Sequence, residues 1–359
     1  MYLYKKKYTR NELRQKIGDI YQIGGVKKYK YSDGVSKGVR AVDIKNGNGF
    51  NATVLLDRGM DISHLEYKGV PLSWNSSTFE TSPVFYESKG IEWLKTFFGG
   101  ILTTCGLTYA GHPCIDQGEE LGLHGRISNL PAFNINTNEY WVDDEYFIEV
   151  SGFVRETSMF GNKLELKRKI SMKMGENKLI IEDMVKNIGF EKSPHMIIYH
   201  MNIGFPVLDK NSKLIEPANA IITPFDENAK NGFKDYSTFN EPVKGFKENV
   251  FLHDIRADKS GYANIAIINE EFEDTGIGVY LKCNKNNLPF LNEWKMLGQG
   301  EYVLGLEPAN CDVGGRDKER EAGRLKFLDP DEEVKYYVEI GILKSNEEIT
   351  NYKKDIEKI

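Results

Sequence analysis

Three ionisable side chains stand at the ends of apolar runs in this chain. Glu307 lies directly before a proline, His124 lies in a Leu-His-Gly sequence, and His200 follows the run Ile-Ile-Tyr. A carboxylate and two imidazoles supply a base and candidate acids for proton transfer, because the ordinary pKa of histidine lies near neutrality. Each residue taken alone is more often a strand end or a hydrogen-bonded core residue. Together they predict general acid–base chemistry if the fold brings them to one site.

Composition excludes several other classes of function. The 359 residues are 40% hydrophobic and 28% charged, as expected for a globular protein with a large core. A net charge of −6 opposes binding to a phosphate backbone, so we expect no nucleic-acid partner. The first residues lack the apolar stretch of a signal peptide, and no run is long enough to span a membrane. We therefore expect a cytoplasmic protein without a membrane partner.

Cysteine and histidine spacing gives no metal signature. The four cysteines include no CxxC pair, and the histidines include no HxH or HExxH spacing. We expect reduced thiols, no catalytic metal and no cofactor.

Hydrophobic periodicity predicts antiparallel sheets. Residues 164–172 alternate mostly apolar with wholly polar positions, and the alternation resumes at 179–185 after the turn sequence Gly-Glu-Asn. Together they predict a β-hairpin. Further strands are predicted in five similar runs: 38–44, 147–155, 262–268, 277–282 and 334–343. Such a succession is typical of a mainly β protein with packed antiparallel sheets.

Helical signals are few. Thr9 followed by Glu12, and Ser345 followed by Glu348, predict helices that begin with a capping box, and residues 91–98 are a third candidate. No linker or repeat divides the chain. We therefore predict an N-terminal extension at 1–34 that packs on a single β-domain at 35–359, which ends in a helix. Residues 223–245 lack periodicity and are predicted to form a surface excursion.

Five segments in fixed order resemble the aldose 1-epimerase-like family of the galactose mutarotase-like superfamily. The similarity spans about residues 35 to 345. The segments are 55–62, 98–107, 122–126, 199–206 and 306–310. The resemblance implies a β-supersandwich of antiparallel sheets with a few short helices. It also implies acid–base interconversion of sugar anomers in an incompletely characterised branch of the family.

The resemblance also implies roles for individual residues. His124 and His200 correspond to the two site histidines, and Glu307 to the catalytic glutamate. The segment after His200 reads Met-Asn-Ile-Gly-Phe-Pro and departs from the His-x-x-Phe-Asn pattern, and Asn202 is the nearest match to its asparagine. In this reading Glu307 is the base, His200 the acid, and His124 a second donor to the ring oxygen.

Substrate-binding residues are less directly indicated. The family's substrate-binding arginine is replaced here by Thr-Thr-Cys-Gly-Leu at 103–107, so Arg58 or Arg126 could take its role, or both could form structural ion pairs. Glu248 is the candidate for the site aspartate. Trp294 could offer an aromatic platform and Lys295 a hydroxyl donor, although a strand tryptophan is more often buried in the core.

The sequence thus predicts an isomerase that acts on a small-molecule carbohydrate. The alternatives are a sugar isomerase or epimerase acting on an open-chain sugar, and a non-catalytic carbohydrate-binding protein. The sugar and the oligomeric state are left open, with a homodimer as one candidate.

Overall fold

The computed structural model describes residues 1–359, and antiparallel sheets dominate it. An eight-stranded sheet runs in the order Phe133–Val142, Glu145–Thr157, Lys163–Lys173, Lys178–Asn187, Glu333–Leu343, Ile277–Asn284, Tyr262–Asn269 and Lys213–Ile215. A second sheet, called here the site sheet, runs in the order Ile221–Pro224, Asn249–Asp254, Phe290–Leu297, Tyr302–Ala309, Ser193–Ile203 and Lys326–Leu328, with Thr103–Leu107 also paired to Ser193–Ile203.

Smaller elements complete the fold. A five-stranded sheet contains Gly25–Lys30, Arg40–Lys45, Phe50–Leu55, Asp61–Tyr67 and Val70–Pro71. Two further pairs of strands are Tyr2–Leu3 with Lys6–Lys7, and Cys114–Asp116 with Glu119–Leu121. The α-helices are Arg10–Arg14, Glu227–Gly232, Arg316–Glu321 and Asn346–Ile356. The predicted mainly β architecture with few short helices is confirmed. No helix has both the length and the apolar character needed to cross a membrane.

Local sequence signals correspond to the observed elements. The predicted hairpin is the antiparallel pair Lys163–Lys173 and Lys178–Asn187. Thr9 and Glu12 form a reciprocal capping box at the first helix, and the Ser345 side chain accepts from the Glu348 amide at the last. The candidate helix at 91–98 is a short 3₁₀ helix, Glu92–Thr96. These signals succeed because each depends on residues close together in the chain.

The N-terminal residues share the main core. Met1, Leu3 and Leu13 are buried in it, and Gly25–Lys30 pairs along its whole length with Arg40–Lys45. The segment predicted as an extension therefore supplies a strand of the five-stranded sheet as well as core side chains.

Buried charge interrupts the apolar pattern at Arg168. Its guanidinium contacts Asp183 at 2.7 Å and Asp61 at 2.9 Å, and all three side chains are fully buried. Tyr199 donates a further hydrogen bond to Asp183 at 2.8 Å. The network ties three sheets together, because its members lie on strands of the eight-stranded, five-stranded and site sheets.

Candidate active site

His200 faces away from the main core because of strand alternation. Along Ser193–Ile203, Tyr199 and Met201 pack in the main core, whereas Ile198 belongs to a second apolar cluster on the other face of the site sheet. Successive side chains in a strand point to opposite faces. His200 therefore shares the face of Ile198, although every residue of the strand is buried.

Glu307 lies opposite His200 on the neighbouring strand. The antiparallel register pairs Met201 with Leu306, and this places the next residue of Tyr302–Ala309 beside His200. The Nε2 atom of His200 lies 3.2 Å from Oε1 of Glu307. Two side chains that are 107 positions apart in sequence thus come into direct polar contact.

Gly305 makes room for this pair. A Cβ atom at Gly305 would lie 2.8 Å from Oε1 of Glu307 and 3.3 Å from Cε1 of His200. Both distances are shorter than ordinary van der Waals contact. The carboxylate and the imidazole therefore lie directly over a residue that has no side chain.

Burial sets the protonation of the pair. Burial of the Glu307 carboxyl, with the charge of Glu248 adding to it, raises the pKa of Glu307 to about 8. Burial lowers the pKa of His200 to about 4, and the neighbouring side chain of Asn202 opposes this shift. Between these values the pair holds a single proton. It can therefore release a proton from one atom and accept one at the other without a change in net charge.

His124 is the third ionisable side chain at the site, beside Glu307 and His200. Its backbone has φ of 57°, and the following Gly125 packs so closely that a Cβ atom would lie 2.3 Å from the Gly106 oxygen. The rings of His124 and His200 have centroids 5.7 Å apart. Burial lowers the pKa of His124 well below its usual value, so its imidazole is neutral. Its buried Nδ1 has no partner within the protein.

Aromatic rings form the walls of the cavity above these residues. Trp93 stacks on Phe97 with centroids 4.7 Å apart, and Trp294 lies 5.3 Å from the His200 ring. The cavity has a volume of about 360 Å³, a size typical of small-molecule sites. The remaining lining includes His112 and mainly apolar side chains, namely Ile91, Leu94, Pro113, Leu123, Val250 and Val313.

The structure brings five of the predicted site residues to this cavity. Glu307, His200, His124, Glu248 and Trp294 all line it. Trp294 donates from Nε1 to Oε2 of Glu248 at 2.6 Å, and this bond orients the indole. The cavity therefore combines an aromatic surface with carboxylate and imidazole groups.

Arg58 lies outside the cavity, which corrects its expected role as a substrate ligand. Its guanidinium is fully buried and donates to the carbonyl oxygens of Ser128 at 2.6 Å, Thr81 at 2.6 Å and Thr96 at 2.8 Å. Three separate segments of the chain converge on this one side chain. Because the guanidinium is buried away from the cavity and bonded through all three of its nitrogens, we assign it a structural role.

Replacing Arg58 with methionine should destabilise the fold by about 3 kcal/mol, because three buried carbonyls lose their donor. The loss is moderated because burial of the guanidinium itself is unfavourable, as its lowered pKa of about 10 indicates. Urea denaturation followed by circular dichroism would measure the change. Arg126→Met, at an exposed position, is the matched control and should leave stability within about 0.5 kcal/mol of wild type. Equal stabilities of the two variants would contradict this role for Arg58.

Three further predicted ligands also lie outside the cavity. Lys295 projects from the opposite face of its strand, where Nζ donates to the carbonyls of Asp235 and Thr238. Asn202 is fully buried and donates to the carbonyls of Gly100 and His200, both at 3.0 Å. Arg126 is exposed and borders a separate surface hollow. Their assignment as direct sugar ligands is therefore corrected, and Asn202 instead donates to the backbone carbonyl of His200.

The sequence reading missed several lining residues. His112 lies outside every motif that the sequence offers, and Trp93 and Phe97 fall within the helix candidate at 91–98. The one signal for the aromatic pair was their spacing in a short apolar segment, which does not indicate which surface they face. No group of three or more His, Cys, Asp or Glu side chains has the arrangement of a metal site.

Comparison with known proteins agrees with the fold. A family model described as Domain of unknown function (DUF4432) matches residues 36–342. No curated protein matches the chain. A crystal structure from Klebsiella pneumoniae subsp. pneumoniae MGH 78578, described as that of a "putative aldose 1-epimerase", has a TM-score of 0.87 at 26% identity, covering 93% of this chain and 87% of that one.

More distant structures show the same fold. A galactose 1-epimerase from Lactobacillus acidophilus NCFM has a TM-score of 0.59 at 13% identity and covers 90% of this chain and 100% of its own. A galactose mutarotase-like protein from Clostridium acetobutylicum has a TM-score of 0.59 at 14% identity, with coverage of 90% and 99%. The galactose mutarotase-like fold expected from the sequence is thereby confirmed.

Proposed function

We propose that the chain, which belongs to the family described as Domain of unknown function (DUF4432), is an aldose 1-epimerase-like isomerase. Its reaction is the interconversion of the anomers of a free sugar or sugar derivative. The observation that carries the proposal is the buried contact of 3.2 Å between Nε2 of His200 and Oε1 of Glu307 at the cavity.

The proposed reaction opens and recloses the sugar ring. Glu307 removes the proton from the C1 hydroxyl, the bond between C1 and the ring oxygen breaks, and His200 gives a proton to that oxygen. The open-chain aldehyde turns about its C1–C2 bond and recloses on either face by the reverse transfers. Because the two reacting oxygens are attached to one carbon, the base and the acid must be close neighbours. The distance between Glu307 and His200 supports this assignment.

The reactive form is the charge-separated form of the pair. Glu307 must be a carboxylate and His200 an imidazolium, which together hold the same single proton as the neutral pair. The transfer to the substrate then leaves the total number of protons unchanged. His124 is neutral and donates a hydrogen bond to the ring oxygen, where it stabilises developing charge.

Two residues are proposed to hold the sugar. The indole of Trp294 offers an apolar face for the C–H groups of a pyranose. Glu248 holds the indole in place by accepting the hydrogen bond from its Nε1. The carboxylate of Glu248 also lines the cavity and can accept from a sugar hydroxyl.

Anomer exchange on a panel of freshly dissolved aldoses and aldose derivatives would test the function. Exchange spectroscopy by NMR should show acceleration over the spontaneous rate for at least one sugar, without uptake of deuterium from solvent at carbon. Deuterium at carbon would support the open-chain isomerase or epimerase instead. Thermal stabilisation by a sugar, with no sugar of the panel exchanged, would support a binding protein. Either result would overturn the proposal.

The pH dependence of kcat/KM should form a plateau between about pH 4 and about pH 8, where the free enzyme holds one proton on the catalytic pair. Above the plateau the pair loses its proton and no acid remains. Below it both groups are protonated and no base remains. Polarimetry from about pH 3 to about pH 10, corrected for spontaneous exchange, would measure both limbs of the profile. A rate that increases through pH 8 would contradict the one-proton mechanism.

A further inference from the structure

Asn292 has a fully buried side chain whose polar atoms have no partners. It is 0% exposed, and neither Oδ1 nor Nδ2 makes a hydrogen bond within the protein. An unpaired buried amide is costly, and nearly all such groups in native proteins are hydrogen-bonded. Core packing alone would be served better by leucine. The amide therefore calls for an explanation in terms of function.

The fold places Asn292 beside the catalytic glutamate. On Phe290–Leu297 the alternate residues Phe290 and Trp294 pack against the second apolar cluster, and Asn292 lies between them on the same face. The register pairs Asn292 directly with Glu307. Such cross-strand neighbours have Cβ atoms about 4.5–5.5 Å apart. Glu307 is thus flanked by His200 on one side and by Asn292 on the other.

The carboxyl of Glu307 has few other neighbours that could stabilise its charge. The titratable groups that face it are His200 and Cys105 on the adjacent strands, His124 on its loop and Glu248 at the cavity. Among these only His200 contacts the carboxyl. Lys295, the nearest cation along the same strand as Asn292, points to the other face and donates to backbone carbonyls.

The amide of Asn292 has unused N–H donors, and the carboxyl of Glu307 can accept hydrogen bonds in addition to its contact with His200. When the proton moves from Glu307 to His200 or to the substrate, the buried carboxylate needs donors, and Asn292 carries two N–H bonds that have no other acceptor. A hydrogen bond to the charged form of an acid favours that form. We propose that Asn292 is a positioning residue that donates to Glu307 in its anionic state and so stabilises the reactive form of the pair. The inference rests on the proposed role of Glu307 as base.

The test replaces Asn292 with leucine, which has nearly the same shape but no donor. A hydrogen bond to a buried charge contributes roughly 1.5–3 kcal/mol, so kcat/KM on the plateau should fall by about 10- to 100-fold. The alkaline limb of the profile should move to higher pH, because Glu307 holds its proton more tightly. A merely structural role would leave the position of that limb unchanged.

Asn292→Thr is the matched control, because threonine suits a strand and keeps a donor on a short side chain. It should retain more activity than Asn292→Leu and show a smaller displacement of the alkaline limb. Equal effects in both variants would indicate that burial alone controls Glu307, and would overturn the proposal. So would an alkaline limb that Asn292→Leu leaves in place.

A second measurement separates this inference from the proposed function. The carboxyl ¹³C resonance of Glu307, assigned by its loss in Glu307→Gln, should titrate at higher pH in Asn292→Leu than in wild type. This readout requires no substrate. If it moves while no aldose is exchanged, the function fails and the role of Asn292 stands. If it does not move in an active enzyme, the inference fails and the function stands.

Discussion

Replacing Glu307 with glutamine should slow anomer exchange by about 10²- to 10⁴-fold, the usual contribution of a general base. Glutamine keeps the size of the side chain over Gly305 and a polar group next to His200. It cannot accept the proton of the C1 hydroxyl. The measurement is exchange NMR or polarimetry on the substrate that the panel identifies. Glu301→Gln, at an exposed position outside the cavity, is the matched control and should retain wild-type activity. Full activity of Glu307→Gln would show that this carboxylate is not the base.

The same variant should gain stability at alkaline pH. The folded protein raises the pKa of Glu307 to about 8, whereas in the unfolded chain it is near 4.3. The folded state therefore binds the proton more tightly, and this contribution to stability is lost as pH rises from the lower value through the upper one. Glutamine does not ionise. The melting temperature of Glu307→Gln relative to wild type should thus increase between pH 5 and pH 9, which also verifies that the variant folds.

His200→Asn should reduce anomer exchange by a similar factor of about 10²- to 10⁴-fold, because asparagine cannot give a proton to the ring oxygen. The side chain is smaller, so circular dichroism and thermal melting must accompany the kinetics. His64→Asn is the matched control, because His64 is half exposed and pairs with Glu80 at a distance from the cavity. It should leave the rate unchanged. If both variants lose activity equally, the loss in His200→Asn would not reflect a catalytic role.

The double variant of Glu307 and His200 distinguishes joint action from two separate contributions. If one proton passes through the pair in each half of the reaction, removing either member stops the same step. The double variant should then lose little more than the worse single variant. A loss equal to the product of the two single losses would indicate that the residues act independently, and would contradict the shared-proton mechanism.

Much of the fold could be predicted from local patterns. Alternation over residues 164–185 identified a hairpin, and the capping residues Thr9 and Ser345 marked helix starts. Such features depend on interactions within a few positions of the chain, so the sequence displays them directly. The sheets as a set were also predictable, because many short alternating runs are typical of packed antiparallel strands.

The candidate site was only partly predictable. His124, His200 and Glu307 were found through the resemblance of short segments to a known family, and the structure brings them to one cavity. Arg58 and Lys295 have the right chemistry for sugar binding but face buried carbonyl oxygens. Residue type reports what a side chain can do, and it does not report which partners already occupy it.

By itself, the sequence determined that the chain forms antiparallel strands. It also determined which short segments carry the candidate acids and bases. Tertiary structure decided which residues meet. In a strand buried on both faces, such as Ser193–Ile203, alternation separates two sets of side chains without indicating which set faces the cavity. The neighbours of Glu307 depend on the register of strands that are distant in sequence, and a slip of one residue would turn every side chain to the opposite face. That register, set by the packing of the whole sheet, places His200 and Asn292 on either side of Glu307.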